Sequence, residues 1–313
     1  MTRITRIVSF LPSATELIYE FGKEEMLFGV THECKFPNEA QKKMKVITAV
    51  IDSEKLTSNE INNKTCQLLN DGKEIFKLNE KNLQLAEPDL IISQETCEVC
   101  AVHTNQVKKA LAILEKKPDV YSMDPHNLNE ILSAVTKLGE ILGEQKKANE
   151  IRINLENRIL RIKKIQHLEK PKVVALEWLD PFFTAGHWIP EMIEIVGGVN
   201  LISKRGENSK KINFNEIQNS DPDIILLMPC GFSSERTLKE YREILNGNKK
   251  WNLLRAVKNK KIFALDANSY FSKPSIRTIT GLEILSEIIG PKTSKHPVVP
   301  ENSYHNIFES INN

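Results

Sequence analysis

The sequence predicts an α/β protein built from two Rossmann-like lobes that are joined by one long helix. Short apolar runs alternate with helical patterns along the chain, which is typical of a mostly parallel sheet covered by helices. Three pairs of segments also recur in the same order in the two halves: 11–22 with 189–198, 87–92 with 221–226, and 120–124 with 262–266. One repeat at such a long period indicates two similar lobes rather than a solenoid.

The first lobe is predicted to span residues 1–142. Strands are assigned to short apolar runs bounded by turn residues, and helices to apolar residues spaced three and four apart. A capping-box pattern at 13–16 begins the first helix, and Gly22 ends it. Cys66 lies in a short helical stretch and is expected to be buried. The predicted strands are 7–11, 27–31, 90–93 and 120–123, and the predicted helices are 13–21, 107–116 and 127–142.

A polar helix at 144–167 is predicted to join the lobes, within a linking segment at 143–170. At 1.5 Å per residue it would be about 36 Å long, and its many charges suit a strut. The second lobe is predicted at 171–290, and the proline-containing tail at 291–313 is expected to be peripheral. The predicted strands of this lobe are 172–177, 223–228 and 261–265, and its predicted helices are 189–196 and 276–289.

Charge and cysteine content limit the partners and the compartment. The formal net charge is +2 among 313 residues, which argues against nucleic acid or an anionic membrane as the main partner. No apolar run is long enough for membrane insertion. The five cysteines are an odd number, and the apolar run after Arg6 is too short for an export signal. We therefore predict a cytoplasmic protein, or an extracytoplasmic one if a leader has been removed.

Unusual side chains cluster where the predicted strands end. Ligands of open α/β sheets bind beyond the carboxyl ends of the strands, and in a two-lobed protein we expect those ends to border one cleft. Aromatic rings in loops rich in Asp, Pro and Gly suit a flat apolar small molecule. Because the common catalytic motifs do not occur, no catalytic residue is predicted. The predicted ligand-binding residues are Ser13, Thr15, His32, Gln94, Trp178, Asp180, His187, Trp188, Phe232, Tyr270, Phe271 and Arg277.

The cysteines support a second hypothesis. Cys97 and Cys100 have the spacing of metal ligands or of a redox pair. With Cys34 and Cys230 they could hold Zn²⁺ or an iron–sulfur cluster if the fold brings the four together. The alternatives to a binding protein are therefore a cytoplasmic metal- or iron–sulfur-dependent enzyme, and a thiol redox protein.

Several motifs resemble the cobalamin-binding, or more broadly metal-chelate-binding, proteins of ABC importers. The resemblance covers roughly residues 5–290 and lies in the opening Arg6-Ile-Val-Ser-Phe-Leu-Pro-Ser-Ala-Thr-Glu, the two Pro-Asp strands and the linking helix. Thr31-His-Glu-Cys34, Cys97-Glu-Val-Cys-Ala101 and Gly186-His-Trp188 resemble a leaderless, cysteine-rich subgroup.

This resemblance implies the class III periplasmic-binding-protein fold, with one helical backbone between the lobes. It implies a binding protein that holds cobalamin or another corrinoid between the lobes and, in secreted members, docks on an ABC permease. The rings expected against the corrinoid are those of Trp178, Trp188, Phe232 and Tyr270.

Overall fold

The chain folds into two compact units. A computed structural model describes residues 4–94, 102–165, 169–291 and 296–309, with only the backbone for 102–105. Unit 1 comprises Met1–Lys55, Asn63–Pro125 and Asn129–Asn154, and unit 2 comprises Leu56–Asn62, His126–Leu128 and Leu155–Asn313. Within the described ranges, no helix has both the length and the apolar character needed to span a membrane.

Unit 1 is built on a six-stranded sheet with the order β4-β3-β2-β1-β5-β6, in which only β4 is antiparallel to its neighbour. Its strands are β1 (Ile7–Ser9), β2 (Leu27–Thr31), β3 (Met44–Ala49), β4 (Phe76–Leu78), β5 (Leu90–Ser93) and β6 (Asp119–Ser122). Its helices are α1 (Pro12–Glu20), α2 (Ser58–Asn70), α3 (Glu80–Ala86), α4 (Val102–Ile113) and α5 (Leu128–Ile141). The first residues of α2 and of α5 belong to unit 2.

Unit 2 contains a second sheet, with the order β12-β11-β10-β7-β8 and with β9 also paired to β7. Helix α6 (Gln145–Lys163) supplies residues to both units. The strands are β7 (Lys172–Leu179), β8 (Phe182–Thr184), β9 (Val199–Asn200), β10 (Ile224–Leu227), β11 (Ile262–Leu265) and β12 (Tyr304–Asn306). The helices are α7 (Ile189–Ile195), α8 (Phe214–Ser220), α9 (Ser234–Ile244), α10 (Arg255–Lys258), α11 (Ala267–Tyr270) and α12 (Thr278–Ile289).

The repeated Pro-Asp motif has the same structural role in both units. Helices α3 and α8 each end at a residue with left-handed backbone, Glu87 and Asp221. In unit 1 the Asp89 carboxylate then accepts a 2.8 Å hydrogen bond from the Thr5 amide, just before β1. In unit 2 the Asp223 carboxylate accepts one of 2.8 Å from the amide of Lys172, the first residue of β7. The motif therefore fastens a helix end to the first strand of each sheet, which explains why it occurs twice.

The predicted α/β class with two sheet-containing lobes is confirmed. The expectation of a peripheral tail is wrong, because residues 304–306 form β12 and pair antiparallel with β11. The expectation that Cys66 is buried is also wrong, because it is exposed on α2, whose only buried residue is Ser58. The domain bounds at 142, 170 and 290 stay a prediction.

Candidate functional site

The strand carboxyl ends of unit 2 carry an aromatic and cationic cluster. Trp178 lies near the end of β7, and Phe232 lies in the loop after β10. Their rings meet edge to face, with centres 5.7 Å apart and planes at 62°. The Arg236 guanidinium lies 3.6 Å from the centre of the Phe232 ring. Phe232 is buried, whereas Trp178 is only partly buried. We call Trp178, Phe232 and Arg236 the Trp178 cluster.

A short segment from the first half of the chain packs against this cluster as part of unit 2. We call residues 56–62 the strap. The Trp178 indole Nε1 donates a 3.1 Å hydrogen bond to the Ser58 carbonyl oxygen. The Asn59 side-chain amide donates one of 3.0 Å to the Asp180 carboxylate. The strap thereby favours one orientation of the Trp178 indole, since the indole N–H group has its acceptor there.

Helix α9 holds the strap from a second direction. Arg236 Nη2 donates a 2.9 Å hydrogen bond to the Leu56 carbonyl oxygen. The buried Glu240 carboxylate accepts one of 2.7 Å from the amide of Ser58, at the first turn of α2. A carboxylate at a helix N-terminus also interacts favourably with the helix dipole. Glu240 therefore serves as the anchor of the strap.

Glu240→Ala should lower the free energy of unfolding by about 1–3 kcal/mol, because the buried Ser58 amide loses its acceptor. Urea denaturation followed by circular dichroism measures this change. Glu243→Ala on the same helix removes only an exposed ion pair with Lys239 and should cost less than about 0.5 kcal/mol. Equal losses in the two variants would contradict the role of Glu240 as an anchor.

His187 lies in a backbone conformation that its loop imposes. Its φ is +53°, in the left-handed region that few residues other than glycine adopt. Its amide donates a 2.7 Å hydrogen bond to the Glu207 carbonyl oxygen, and its own carbonyl accepts one of 2.9 Å from the Gly206 amide. The imidazole lies 5.6 Å, centre to centre, from the Trp188 ring. The loop therefore fixes the position of a partly buried histidine.

Trp188 and Phe271 lie beneath the surface of unit 2. Both are buried, and the Trp188 indole N–H donates a 3.1 Å hydrogen bond to the Phe271 carbonyl oxygen. A Cβ on Gly281 of α12 would come within 2.6 Å of the Tyr270 carbonyl oxygen. This close packing of α12 against 270–271 fixes the end of α11, where Tyr270 lies.

Tyr270 and Arg277 border the same loop. Both are partly buried, and the Arg277 guanidinium lies 6.0 Å from the centre of the Tyr270 ring. Burial raises the pKa of the Tyr270 phenol, and the negative charge of Asp266 raises it further. Burial also raises the pKa of Asp266. Tyr270 therefore stays a neutral hydrogen-bond donor at physiological pH.

The unit 1 candidates have a different character. Ser13 and Thr15 are completely buried in α1, which follows β1. Thr15 Oγ1 lies 3.1 Å from the buried Sγ of Cys34. His32 is partly buried at the end of β2, where its ring lies 5.8 Å from that of Phe76. Gln94 is partly buried after β5. Only His32 and Gln94 of these predicted residues reach the surface of unit 1.

The described cysteines differ sharply in environment. Cys34 is fully buried, whereas Cys66 and Cys230 are exposed. Burial raises the pKa of the Cys34 thiol, against the opposing effect of hydrogen bonds with Thr15 and Thr31. Cys97 and Cys100 lie outside the described residues. Among the side chains that are described, no group of three or more His, Cys, Asp and Glu could hold a metal ion, so the four-cysteine centre stays a prediction.

A thiol titration should distinguish these cysteines by their rates of modification. With an aromatic disulfide reagent at pH 8, Cys66 and Cys230 should react at least about 100-fold faster than Cys34, because only the exposed thiolate attacks. Peptide mass spectrometry assigns each modified residue, and unfolding in urea should equalise the rates. Rapid modification of Cys34 in the folded protein would contradict its burial.

Sequence reasoning missed the strap, Arg236 and Glu240. The polar residues at 52–60 are typical of a surface loop, so nothing local indicates that this segment packs against strand ends in the other half of the sequence. A lone arginine and a lone glutamate on an amphipathic helix give no signal either.

Comparison with known proteins adds independent findings. A family model described as periplasmic binding protein matches residues 7–269. The ABC transporter substrate-binding lipoprotein YvrC of Bacillus subtilis is 23% identical over 299 residues, which cover 93% of this chain and 81% of YvrC. The high-affinity heme uptake system protein IsdE of Staphylococcus aureus is 27% identical over 151 residues, which cover 47% of this chain and 51% of IsdE.

Two solved structures show the same fold. The periplasmic heme-binding protein of Pseudomonas aeruginosa has a TM-score of 0.69 at 18% identity, over 95% of this chain and 96% of that chain. The periplasmic vitamin B12 binding protein BtuF of Vibrio cholerae has a TM-score of 0.65 at 20% identity, over 92% of this chain and 97% of that chain.

The predicted cytoplasmic location is wrong. YvrC is named as a lipoprotein, and the Vibrio and Pseudomonas proteins are named as periplasmic. The prediction relied in part on the odd number of cysteines, which is a poor indicator here because a thiol as buried as that of Cys34 needs no reducing compartment to stay unpaired.

Proposed function

The chain belongs to the periplasmic binding protein family, and from that premise we propose that it binds cobalamin or a related corrinoid. More broadly, the chain functions as the substrate-binding protein of an ABC transporter. Its partners are then a small-molecule ligand and an ABC permease. The observation that carries the proposal is the Trp178 cluster, which offers a partly exposed indole at the strand carboxyl ends of unit 2.

The fixed orientation of Trp178 supports a flat ligand. An indole held by a hydrogen bond to the Ser58 carbonyl loses little conformational freedom when a planar ring packs on it. Tyr270 supplies a second ring and a neutral phenol that can donate to an amide oxygen. A corrin ring with amide side arms needs these two kinds of contact.

The charges around these rings favour a corrinoid over a porphyrin. Arg236 already contacts the Phe232 ring and the Leu56 carbonyl, so its charge serves the protein itself. Arg277 is balanced by the Asp266 carboxylate, whose pKa the positive charge of Arg277 lowers against the larger opposing effect of burial. A mixed surface of this kind suits neutral amide arms, whereas a doubly anionic porphyrin calls for an excess of cations.

Calorimetric titration of the purified chain with hydroxocobalamin tests the proposal. We expect saturable binding of one molecule per chain at micromolar concentration or below. The absence of heat and of retention on gel filtration at that concentration would overturn it. Tyr304→Phe, a change on β12 at the edge of the unit 2 sheet, is the matched control and should leave the affinity unchanged.

Heme is a second candidate. The name of IsdE and that of the Pseudomonas protein favour it, although the balanced charges do not. Titration with hemin under the same conditions, followed by its Soret absorption, separates the two ligands. Tighter binding of hemin than of hydroxocobalamin would replace the corrinoid proposal with a heme one.

A further inference from the structure

Two histidines that are distant in sequence meet in unit 2. His126 and His187 have ring centres 5.6 Å apart and ring planes at 47°. Both side chains are partly buried. They lie on separate segments of the unit, His126 at the start of the three-residue stretch His126–Leu128 and His187 before α7.

Both segments are fixed by hydrogen bonds that do not involve the imidazoles. The Leu128 amide donates a 3.0 Å hydrogen bond to the Glu191 carboxylate on α7, which ties the His126 segment to the helix that follows His187. The backbone of His187 is held on both sides by 206–207. The backbone positions from which the two imidazoles extend are therefore set by the fold before any ligand binds.

The separation matches two imidazoles on one metal ion. With metal–nitrogen bonds of about 2.0–2.1 Å, the centre of each ring lies about 3.2 Å from the ion. Two ring centres then lie about 4.5 Å apart at a bond angle of 90° and about 5.5 Å apart at 120°. The observed 5.6 Å thus corresponds to an angle slightly wider than tetrahedral.

We propose that His126 and His187 together bind a late first-row divalent cation, Zn²⁺, Cu²⁺ or Ni²⁺, that has two adjacent open coordination positions. Each neutral imidazole donates one nitrogen lone pair and displaces one water molecule, and imidazole is a preferred ligand for these three ions. The described side chains supply two ligands and not three, so the other positions on the ion stay open to water or to a chelator.

This site differs from the corrinoid proposed above. A corrin ring occupies four positions in one plane and leaves its two axial positions on opposite sides, so two imidazoles on the same side cannot both bind its metal. The source of the ion is either the hydrated ion or a chelate that leaves two neighbouring positions free. Copper(II) and its complex with iminodiacetate represent these two sources.

The experiment uses the tag-free chain with its thiols alkylated, because exposed Cys66 and Cys230 would also bind copper. Binding of Cu²⁺ is measured by titration calorimetry and by quenching of Trp188, whose ring lies 5.6 Å from that of His187. Electron paramagnetic resonance counts the nitrogen ligands. We expect one ion per chain with two imidazole nitrogens. Copper iminodiacetate should bind to the same site if chelates are a source, and its failure to bind would assign the site to the hydrated ion.

His126→Ala and His187→Asn should each weaken copper binding at least about ten-fold, and asparagine tolerates the left-handed backbone at 187. His305→Gln on β12 is the control and should bind copper as the unchanged protein does. Unchanged binding in either histidine variant, or a resonance with fewer than two nitrogens, would overturn the proposal. Hydroxocobalamin titration of His126→Ala keeps the two proposals separate, because loss of copper binding with retained corrinoid binding in that variant concerns only the copper site.

Discussion

Gly186→Ala should destabilise the protein by about 3 kcal/mol, because the new side chain would collide with the loop at 206–210. A Cβ at position 186 would lie 2.6 Å from both the Glu207 carbonyl oxygen and the Ser209 amide nitrogen. Both are backbone atoms, so no side chain can rotate away to relieve the overlap. The loop at 206–210 can move only by giving up its hydrogen bonds to His187 and Thr184, and overpacking of this kind typically costs about 1–3 kcal/mol or more.

Urea denaturation measures the loss, and Gly247→Ala is the matched control. Gly247 has a φ of +83°, but a Cβ at this position would have no atom within 4 Å. Its replacement should therefore cost only the backbone penalty of about 1 kcal/mol. Equal losses in the two variants would show that the close approach at Gly186 has no energetic weight.

Trp178→Ala should weaken hydroxocobalamin binding at least about 30-fold. A tryptophan that supplies a rigid, partly exposed face typically contributes about 2 kcal/mol or more to binding. The change also removes the N–H group that donates to the Ser58 carbonyl oxygen, and it removes the edge-to-face contact with the Phe232 ring. Trp178→Phe keeps a ring at this position but removes the N–H group. It should therefore lose only a few-fold in affinity, and the difference between the two variants measures the contribution of an aromatic ring at this position.

Trp251→Phe controls for the loss of a tryptophan elsewhere in unit 2. Trp251 is fully buried and stacks on Phe182 with ring centres 5.9 Å apart. Its replacement should lower the stability without changing the dissociation constant, as measured by calorimetry at a temperature where the variant stays folded. If Trp178→Ala binds as tightly as the unchanged chain, the Trp178 cluster is not the ligand contact.

Most of the strands that the sequence predicts are largely buried, and β6, which has no buried residue, is the exception. β5 and β10 are wholly buried runs of apolar residues, and such runs between turn residues are easy to recognise. Strands such as β4 and β12 are three residues long at the edges of their sheets, and β9 has only two residues. Their hydrogen bonds depend on a neighbour that is already in place, so the local sequence holds little information about them.

The candidate site also contains features that the sequence predicts and features that it does not. The positions of Trp178 and Tyr270 follow from the rule that ligands meet parallel sheets at the strand carboxyl ends. This rule does not predict that Trp188 and Phe271 are buried, because their burial depends on how α12 packs. The strap was missed because its hydrogen bonds join residues that are 120 to 182 positions apart.

The discontinuous composition of unit 2 has a consequence for how the chain assembles. The strap leaves the ribosome long before its partner Glu240 has been made, because Glu240 lies 182 residues after Ser58 in the sequence. Closing a loop of that length carries a large entropic cost and belongs to the slow steps of folding. The sheet of unit 2 also awaits β12, residues 304–306, to cover the edge of β11. The last residue of unit 1 is Asn154, so every residue of unit 1 has been made well before those of β12, whereas unit 2 is completed only after residues 304–306 have been made.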